Sequence, residues 1–168
     1  TADKPVKTVG DMKGLKMRAP TRQVTKLMGI LGATPVGMPL PNIPDALSKG
    51  TINGCVIPWE VVPSVKVQEL TKFHAEFDPA GGALYTTTFV MAMNKAKYDA
   101  LPADLKKVID ANSGLETSAW LGKTQEGNDP RGRKTAEERN NTITRLTAAD
   151  YEAFRKAADL VDDDWVKE

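Results

Sequence analysis

The first regular pattern along the chain is a short alternation of apolar and polar residues. Leu15, Met17 and Ala19 fall on one face, Lys16 and Arg18 fall on the other, and a proline follows. Such alternation is typical of a half-buried β-strand, and the residue before a proline is biased away from the helical region. The pattern therefore predicts a strand that stops at this proline.

A helical period replaces the alternation directly after this strand. Val24, Leu27, Met28 and Leu31 recur at spacings of three and four, Thr21 stands at a typical N-cap position, and a glycine follows Leu31. These start and stop signals predict a helix over residues 21–31.

The succession of strand and helix continues to residue 57. The further predicted elements are a strand over 33–38, a short helix over 42–49 and a strand over 51–57. This β-α-β-α-β order predicts an α/β fold, in which helices cover a parallel-rich mixed sheet. Ligands of such sheets bind beyond the carboxyl ends of the strands. We therefore expect the three loops at 18–21, 38–40 and 57–60 to meet at one rim.

The second half of the chain has weaker patterns. Residues 70–76 and 84–94 are extended candidates on either side of a glycine pair, and Pro102 opens a long helical stretch that reaches about Glu126. Thr147 and Asp150 form a capping-box arrangement ahead of a final apolar helical face.

Composition and charge exclude several classes of function. A chain of 168 residues with 40% hydrophobic residues can form one core, and its net charge of +1 provides no field for nucleic acid or an anionic membrane. Neither a run of about 20 apolar residues nor an opening signal segment occurs, so we expect a soluble, mature or truncated chain without its signal peptide.

Cofactor and nucleophile signatures are absent from the sequence. The single cysteine, Cys55, excludes an intrachain disulfide, and the single histidine, His74, excludes zinc sites with two imidazoles. No Gly-rich phosphate loop or G-x-S-x-G pattern occurs. We interpret Cys55 as a small buried residue and His74 as an ordinary hydrogen-bonded one, and we expect neither cofactor, metal nor catalytic residue.

Arg18 is the strongest candidate binding residue. It ends a strand at the expected rim, just before a helix N-terminus, and its fork can make two parallel hydrogen bonds to a carboxylate. A structural ion pair explains the same position equally well. Trp59, at another strand end, is either a pocket wall or a core residue.

Several phrases together resemble DctP-type solute-binding subunits of TRAP transporters. They are D-M-K-G-L-K-M-R-A-P from Asp11, L-G-A-T-P-V-G-M-P from Leu31, A-L-S-K-G-T-I-N-G from Ala46, A-M-N-K-A-K-Y-D-A-L-P from Ala92, D-L-K-K-V-I-D from Asp104 and G-R-K-T-A-E-E-R from Gly132. The resemblance runs across nearly the whole chain and matches the second half of the family's length.

The resemblance implies a type II periplasmic-binding-protein fold with two α/β lobes that close on an organic acid. Residues 1–88 would build the second lobe, and residues 89–126 would cross as a hinge strand and long helix to the first lobe, which this chain largely lacks. Residues 127–168 would return to the second lobe. Without the first lobe, the crossing strand and helix would have an unburied apolar face. This face suggests pairing of two chains by exchange of the crossing elements.

The resemblance also implies a set of ligand-binding residues. Arg18 would bind the substrate carboxylate, and the remaining candidates are Thr21, Met38, Leu40, Ile57, Trp59 and Thr86. Leu40 and Ile57 make this wall more apolar than in many relatives, which fits a small dicarboxylate less well than a monocarboxylate. Val56 cannot bind the metal ion that some relatives use.

We therefore expect a periplasmic receptor fragment, not an enzyme, that binds a mono- or dicarboxylate and delivers it to TRAP membrane permease subunits. Two alternatives remain open. One is the effector-sensing domain of a transcriptional regulator, although no helix-turn-helix pattern supports it. The other is a small carboxylate-acting enzyme in which His74 or Cys55 supplies the chemistry.

Overall fold

The computed structural model describes residues 1–167 and divides into two compact units. The first unit contains Thr1–Thr86 and the chain from Asp129 onward, and the second contains Thr87–Asn128. The assignment of these segments to two lobes of a larger protein stays a prediction.

The strands are Lys16–Ala19 (β1), Thr34–Gly37 (β2), Gly54–Cys55 (β3), Phe73–Phe77 (β4) and Thr142–Leu146 (β5). The α-helices are Arg22–Ile30 (α1), Ile43–Ser48 (α2), Val67–Leu70 (α3), Lys95–Asp99 (α4), Ala103–Ala111 (α5), Leu115–Glu126 (α6), Asp129–Glu138 (α7) and Ala148–Lys167 (α8). Short 3₁₀ helices occupy Val9–Met12, Leu40–Asn42 and Trp59–Val61.

The first sheet has the order β2-β1-β3, and both of its strand pairs are parallel. This confirms the predicted alternation of strands and helices up to residue 57. The third strand is shorter than expected, because only Gly54 and Cys55 pair with β1. Val56 N still donates to the Arg18 carbonyl at 3.0 Å, and the chain then leaves the sheet before the 3₁₀ turn at Trp59.

Two apolar clusters cover this sheet. Met17 and Ala19 of β1 belong to the first cluster, together with α1 and with Phe154 of α8. Val36 and Cys55 pack against the second cluster, which α2 and α3 supply. Since successive strand side chains alternate between faces, Arg18 points to the face opposite Met17 and Ala19.

The second sheet pairs β4 with β5 in parallel. It connects the part of the first unit before residue 87 with the part after residue 128. Thr147 and Asp150 form the predicted capping box before α8, since the Asp150 carboxylate accepts from Thr147 N at 2.9 Å and Asp150 N donates to Thr147 Oγ1 at 3.3 Å.

The second unit differs from the sequence prediction in two ways. The single long helix is wrong, because it ends at Ala111 and a new helix begins after Gly114, whose φ of 90° ordinary side chains rarely adopt. The strand predicted over residues 84–94 does not form either. A strand needs a neighbour for its backbone groups, and no other segment of residues 1–167 pairs with it.

Gly132 of α7 lies against the backbone of the 3₁₀ turn that follows β3. A Cβ at this position would collide with the carbonyl of Trp59 and lie 3.2 Å from Glu60 N. Helix and turn can approach this closely only because residue 132 has no side chain.

We expect Gly132→Ala to lower the free energy of unfolding by about 1–3 kcal/mol, since the added methyl forces α7 away from the turn. Gly122→Ala in α6 is the matched control, because nothing lies within 4 Å of its Cβ position. The control should be neutral or stabilising by up to about 1 kcal/mol. Urea denaturation of both variants measures the difference, and equal stabilities would contradict the close packing.

Candidate functional site

Arg18 joins the ends of all three strands of the first sheet. Its Nε donates to the carbonyl of Met38 at 3.1 Å, and its Nη1 donates to the carbonyl of Val56 at 3.2 Å. Within β1 it stands in register with Val36 on one side and Cys55 on the other. The three loops expected at one rim are thus tied together by one side chain.

The guanidinium of Arg18 is buried without a carboxylate partner. The residue is only 5% exposed. None of the ion pairs among residues 1–167 includes it. Burial lowers the pKa of Arg18 from its ordinary value, and Cys55 and Tyr85 act in the opposite direction. An arginine remains charged under these conditions. Within residues 1–167 the hydrogen bonds described for its guanidinium go to two neutral backbone carbonyls, so no carboxylate there offsets the charge.

Four of the predicted ligand-binding residues lie in one apolar neighbourhood. Met38, Leu40, Ile57 and Trp59 are all half-buried and pack against the second apolar cluster. Because Arg18 bonds to the carbonyl of Met38 and to that of Val56, which precedes Ile57, this apolar group lies beside a cationic one.

Thr21 and Thr86 have different positions. Thr21 is the N-cap of α1, as predicted, and its Oγ1 accepts a hydrogen bond from Val24 N at 3.2 Å. Thr86 is exposed and ends the first segment of the first unit. No hydrogen bond within residues 1–167 links Thr86 to the other candidates.

Trp59 donates a hydrogen bond to a carboxylate that belongs to an ion cluster. Its Nε1 donates to Glu76 Oε2 at 3.1 Å, and its ring lies 5.2 Å from that of His74. Arg133 of α7 and Arg145 of β5 both donate to the Glu76 carboxylate, at 3.1–3.3 Å. These bonds to Glu76 raise the pKa of Arg133.

The sequence did not reveal this cluster. Arg133 also pairs with Glu137, four positions later in α7, and such a spacing is visible in the sequence. Its contact with Glu76 spans 57 positions and could not be read from local spacing. The only local sign of the ion cluster was Glu76, a lone acidic residue within the apolar run of β4. The sequence also missed Tyr85, which opposes the effect of burial on the pKa of Arg18, because its position was assigned to a strand.

Cys55 and His74 lie closer to this region than the sequence suggested, but their protonation does not suit catalysis. Burial raises the pKa of the Cys55 thiol to about 11, so the nucleophilic thiolate is scarce at neutral pH. Burial lowers the pKa of His74 to about 4. Asn141 Nδ2 donates to the Gln68 carbonyl at 2.9 Å and lies 3.0 Å from His74 Nε2, which must therefore accept.

Two structural observations concern metals and membranes. Among residues 1–167, no three side chains of the His, Cys, Asp and Glu types are grouped so that they could hold a metal ion. None of the helices described is long and apolar enough to cross a membrane.

Comparison with known families gives one match over the entire chain. The family of bacterial extracellular solute-binding proteins, family 7 (DctP), matches residues 1–168. Among curated proteins, the C4-dicarboxylate-binding periplasmic protein DctP of Rhodobacter capsulatus is 27% identical over 98% of this chain and 48% of its own length.

Solved structures of higher identity bind aromatic acids. A TRAP solute-binding protein from Rhodoferax ferrireducens, in complex with copurified benzoate, is 64% identical with a TM-score of 0.96. A marine metagenome TRAP solute-binding protein specific for aromatic acids, in complex with 3-hydroxybenzoate, is 44% identical with a TM-score of 0.93. Each match covers 99% of this chain and 52% of the other, so the chain spans about half the length of these proteins.

His74 should make this region sensitive to acid. Its pKa is about 4 in the folded protein and about 6.5 when exposed, so between these pH values the unfolded chain binds more protons. The free energy of unfolding should therefore fall as the pH drops from 6.5 towards 4, by at most about 3 kcal/mol.

Urea denaturation between pH 7 and pH 5 measures this loss, because most carboxylates remain ionised there. His74→Gln is the control, since it removes the only histidine of the chain. An unchanged slope in that variant would contradict a buried, neutral His74.

Proposed function

Because the chain belongs to the DctP family of bacterial extracellular solute-binding proteins, we propose that it forms part of a TRAP receptor that binds an aromatic monocarboxylate through Arg18. The observation that carries this proposal is the buried guanidinium that has no carboxylate partner within residues 1–167. An uncompensated buried charge is costly, and a ligand carboxylate would supply the missing negative charge.

The hydrogen bonds of Arg18 suit this role. An arginine has five N–H donors, and the carbonyls of Met38 and Val56 fix the plane of the group through its Nε and Nη1. Donors that remain can bind both oxygens of a carboxylate, and the fixed plane reduces the entropy lost on binding. The backbone contacts thus orient the group for a ligand instead of neutralising it.

The surrounding residues favour an aromatic body over a second carboxylate. Met38, Leu40, Ile57 and Trp59 present apolar side chains, and a second ligand carboxylate would need a further cation or donor set among them. The benzoate and 3-hydroxybenzoate complexes of the 64% and 44% identical proteins support the same class of ligand. The C4-dicarboxylate-binding relative is only 27% identical.

The proposed cellular role follows the family. We infer that the protein acts in the periplasm, where the R. capsulatus relative is placed by its name, and that it delivers its ligand to TRAP membrane permease subunits. Ligand capture without turnover accords with the scarce thiolate of Cys55 and the weakly basic His74.

Replacement of Arg18 tests the proposed anchor. Arg18→Ala in the full-length protein should weaken benzoate binding by about 2–5 kcal/mol, because the ligand carboxylate is desolvated and left without its partner. Arg18→Lys should also weaken binding, since a lysine cannot offer the planar fork. Arg155→Lys is the matched control, because this exposed arginine of α8 pairs, among residues 1–167, with Glu152 and Asp159 alone.

Isothermal titration calorimetry with benzoate measures the effect, and thermal unfolding of the same samples checks that each variant is folded. Benzoate affinity that stays within about threefold in a folded Arg18→Lys variant, well under the about 1.4 kcal/mol of a tenfold change, would contradict the proposal.

Exposed apolar residues of the second unit bear on self-association. Met91 is 92% exposed, Leu115 is 87% exposed and Trp120 is 64% exposed. Apolar surface of this extent is unusual on a monomer that is free in solution. We propose that two copies of this 168-residue chain pair through the second unit, by exchange of the elements within Thr87–Asn128.

Analytical ultracentrifugation of this chain should give twice its 18.2 kDa mass. Replacing Leu115 and Trp120 by Ser should shift the population towards monomer, whereas the same change at exposed Val166 of α8 should not. A monomer for the unchanged chain at high micromolar concentration would rule out the pairing.

A further inference from the structure

We propose that Glu76 is a positioning residue for ligand selectivity. It holds the indole N–H of Trp59, so that the ring meets the ligand as apolar surface only. This inference rests on the proposed function, because it assigns Trp59 to the wall of the same site.

The hydrogen bond between Trp59 and Glu76 uses the only polar group of the indole. Nε1 is a donor without acceptor capacity, and it donates to Glu76 Oε2 at 3.1 Å. A ligand hydroxyl or carboxylate therefore finds no free donor on this ring. What the ring can offer is dispersion and aromatic contact.

The position of Glu76 is fixed by ion pairs with two arginines. Its side chain is 12% exposed, and Arg133 and Arg145 approach it from α7 and β5. The two arginines come from different elements, so the carboxylate cannot follow a movement of either element alone. Oε1 accepts from both arginines, and Oε2 accepts from Arg133 Nε at 3.1 Å as well as from the indole N–H.

The backbone that carries Trp59 is restrained as well. The Asp129 carboxylate accepts from Glu60 N at 3.0 Å, and the backbone of Gly132 packs against the carbonyl of Trp59. Helix α7 thus restrains the backbone of the turn at Trp59, while Glu76 restrains the Trp59 ring through the indole N–H. A flexible tryptophan could rotate its N–H towards a polar ligand, and the hydrogen bond to Glu76 opposes that rotation.

The consequence for selectivity is a penalty on polar groups at this wall. A ligand that places a hydroxyl against the indole loses its hydrogen bond to water without replacement, because the donor is occupied. An aromatic ring at the same place loses nothing polar. Glu76 therefore favours acids with an apolar body without any contact of its own with the ligand.

Glu76→Gln tests the role of the charge. An amide at this position must place its NH₂ group against either the arginines or the indole N–H, so the arrangement of donors around it cannot be kept. We expect benzoate affinity in the full-length protein to fall by about tenfold, the effect of one lost charge-assisted contact. Glu137→Gln is the matched control, because Glu137 also pairs with Arg133 but has no hydrogen bond to Trp59. It should change affinity by less than about twofold.

Trp59→Phe separates positioning from general stability. Phenylalanine keeps a ring but has no N–H, so Glu76→Gln should have little further effect on benzoate affinity in this background. The preference between benzoate and 3-hydroxybenzoate should stay within about threefold in Trp59→Phe, because the lost N–H was not available to the ligand. Calorimetry of the unchanged protein, Glu76→Gln, Trp59→Phe and the double variant measures both the benzoate affinity and the preference for benzoate over 3-hydroxybenzoate.

Two results would overturn the inference. One is an equal effect of Glu76→Gln with and without the indole, which would indicate a merely structural role. The other is a change of more than about tenfold in the preference for benzoate over 3-hydroxybenzoate in Trp59→Phe. Such a change would show that the indole N–H contacts the ligand.

A measurement without ligand distinguishes this inference from the proposed function. The 168-residue chain has three tryptophans, so Trp59 is the only source of tryptophan fluorescence in its Trp120→Phe, Trp165→Phe variant. Glu76→Gln should then increase the quenching of Trp59 by acrylamide and lower its anisotropy, whereas Glu137→Gln should not. Absence of benzoate binding by the unchanged protein would refute the proposed function, and unchanged quenching would refute the positioning role alone.

Discussion

The two hydrogen bonds from Arg18 to strand-end carbonyls are the constraint on which the described site depends. They join the ends of β1, β2 and β3 through a group that carries a full positive charge. A lysine could donate to carbonyls only from a single nitrogen, so it would not present a planar fork of fixed orientation. The same contacts fix the plane of the guanidinium, so structural support and orientation of the charge come from one set of bonds.

A second set of charges surrounds Glu76, which accepts the hydrogen bond of the Trp59 indole. Around Trp59 the charges are paired, because the Glu76 carboxylate is surrounded by Arg133 and Arg145. The contrast between the two arrangements is informative. The charges of the paired cluster already have partners, whereas an unpaired charge near apolar residues is expensive and is typical of a position where binding supplies the partner.

The local parts of the structure could be predicted from the sequence. Periods of two and of 3.6, together with the N-cap at Thr21, located β1 and α1, because neighbours along the chain decide such elements. The strand expected over residues 84–94 failed for the opposite reason, since a strand depends on a partner that the segment itself cannot supply. Gly114 lies within the stretch predicted as one helix, and only its positive φ shows that it separates two helices. Arg18 could be selected from its position at a strand end, whereas Glu76 gained its importance from residues that lie 57 and 69 positions away.

The parallel pair of β4 and β5 has a consequence for the order of folding. The strands of the first sheet follow one another closely in sequence, so their contacts close short loops. The second sheet forms only after a segment of about 65 residues has been traversed, and the entropy of closing such a loop must be overcome before any pairing is gained. Contacts of this separation slow folding. The hydrogen bonds of Arg18 should therefore form early on a nascent chain, and the contacts of Glu76 with Arg133 and Arg145 should form only after residues 129–146 have been added.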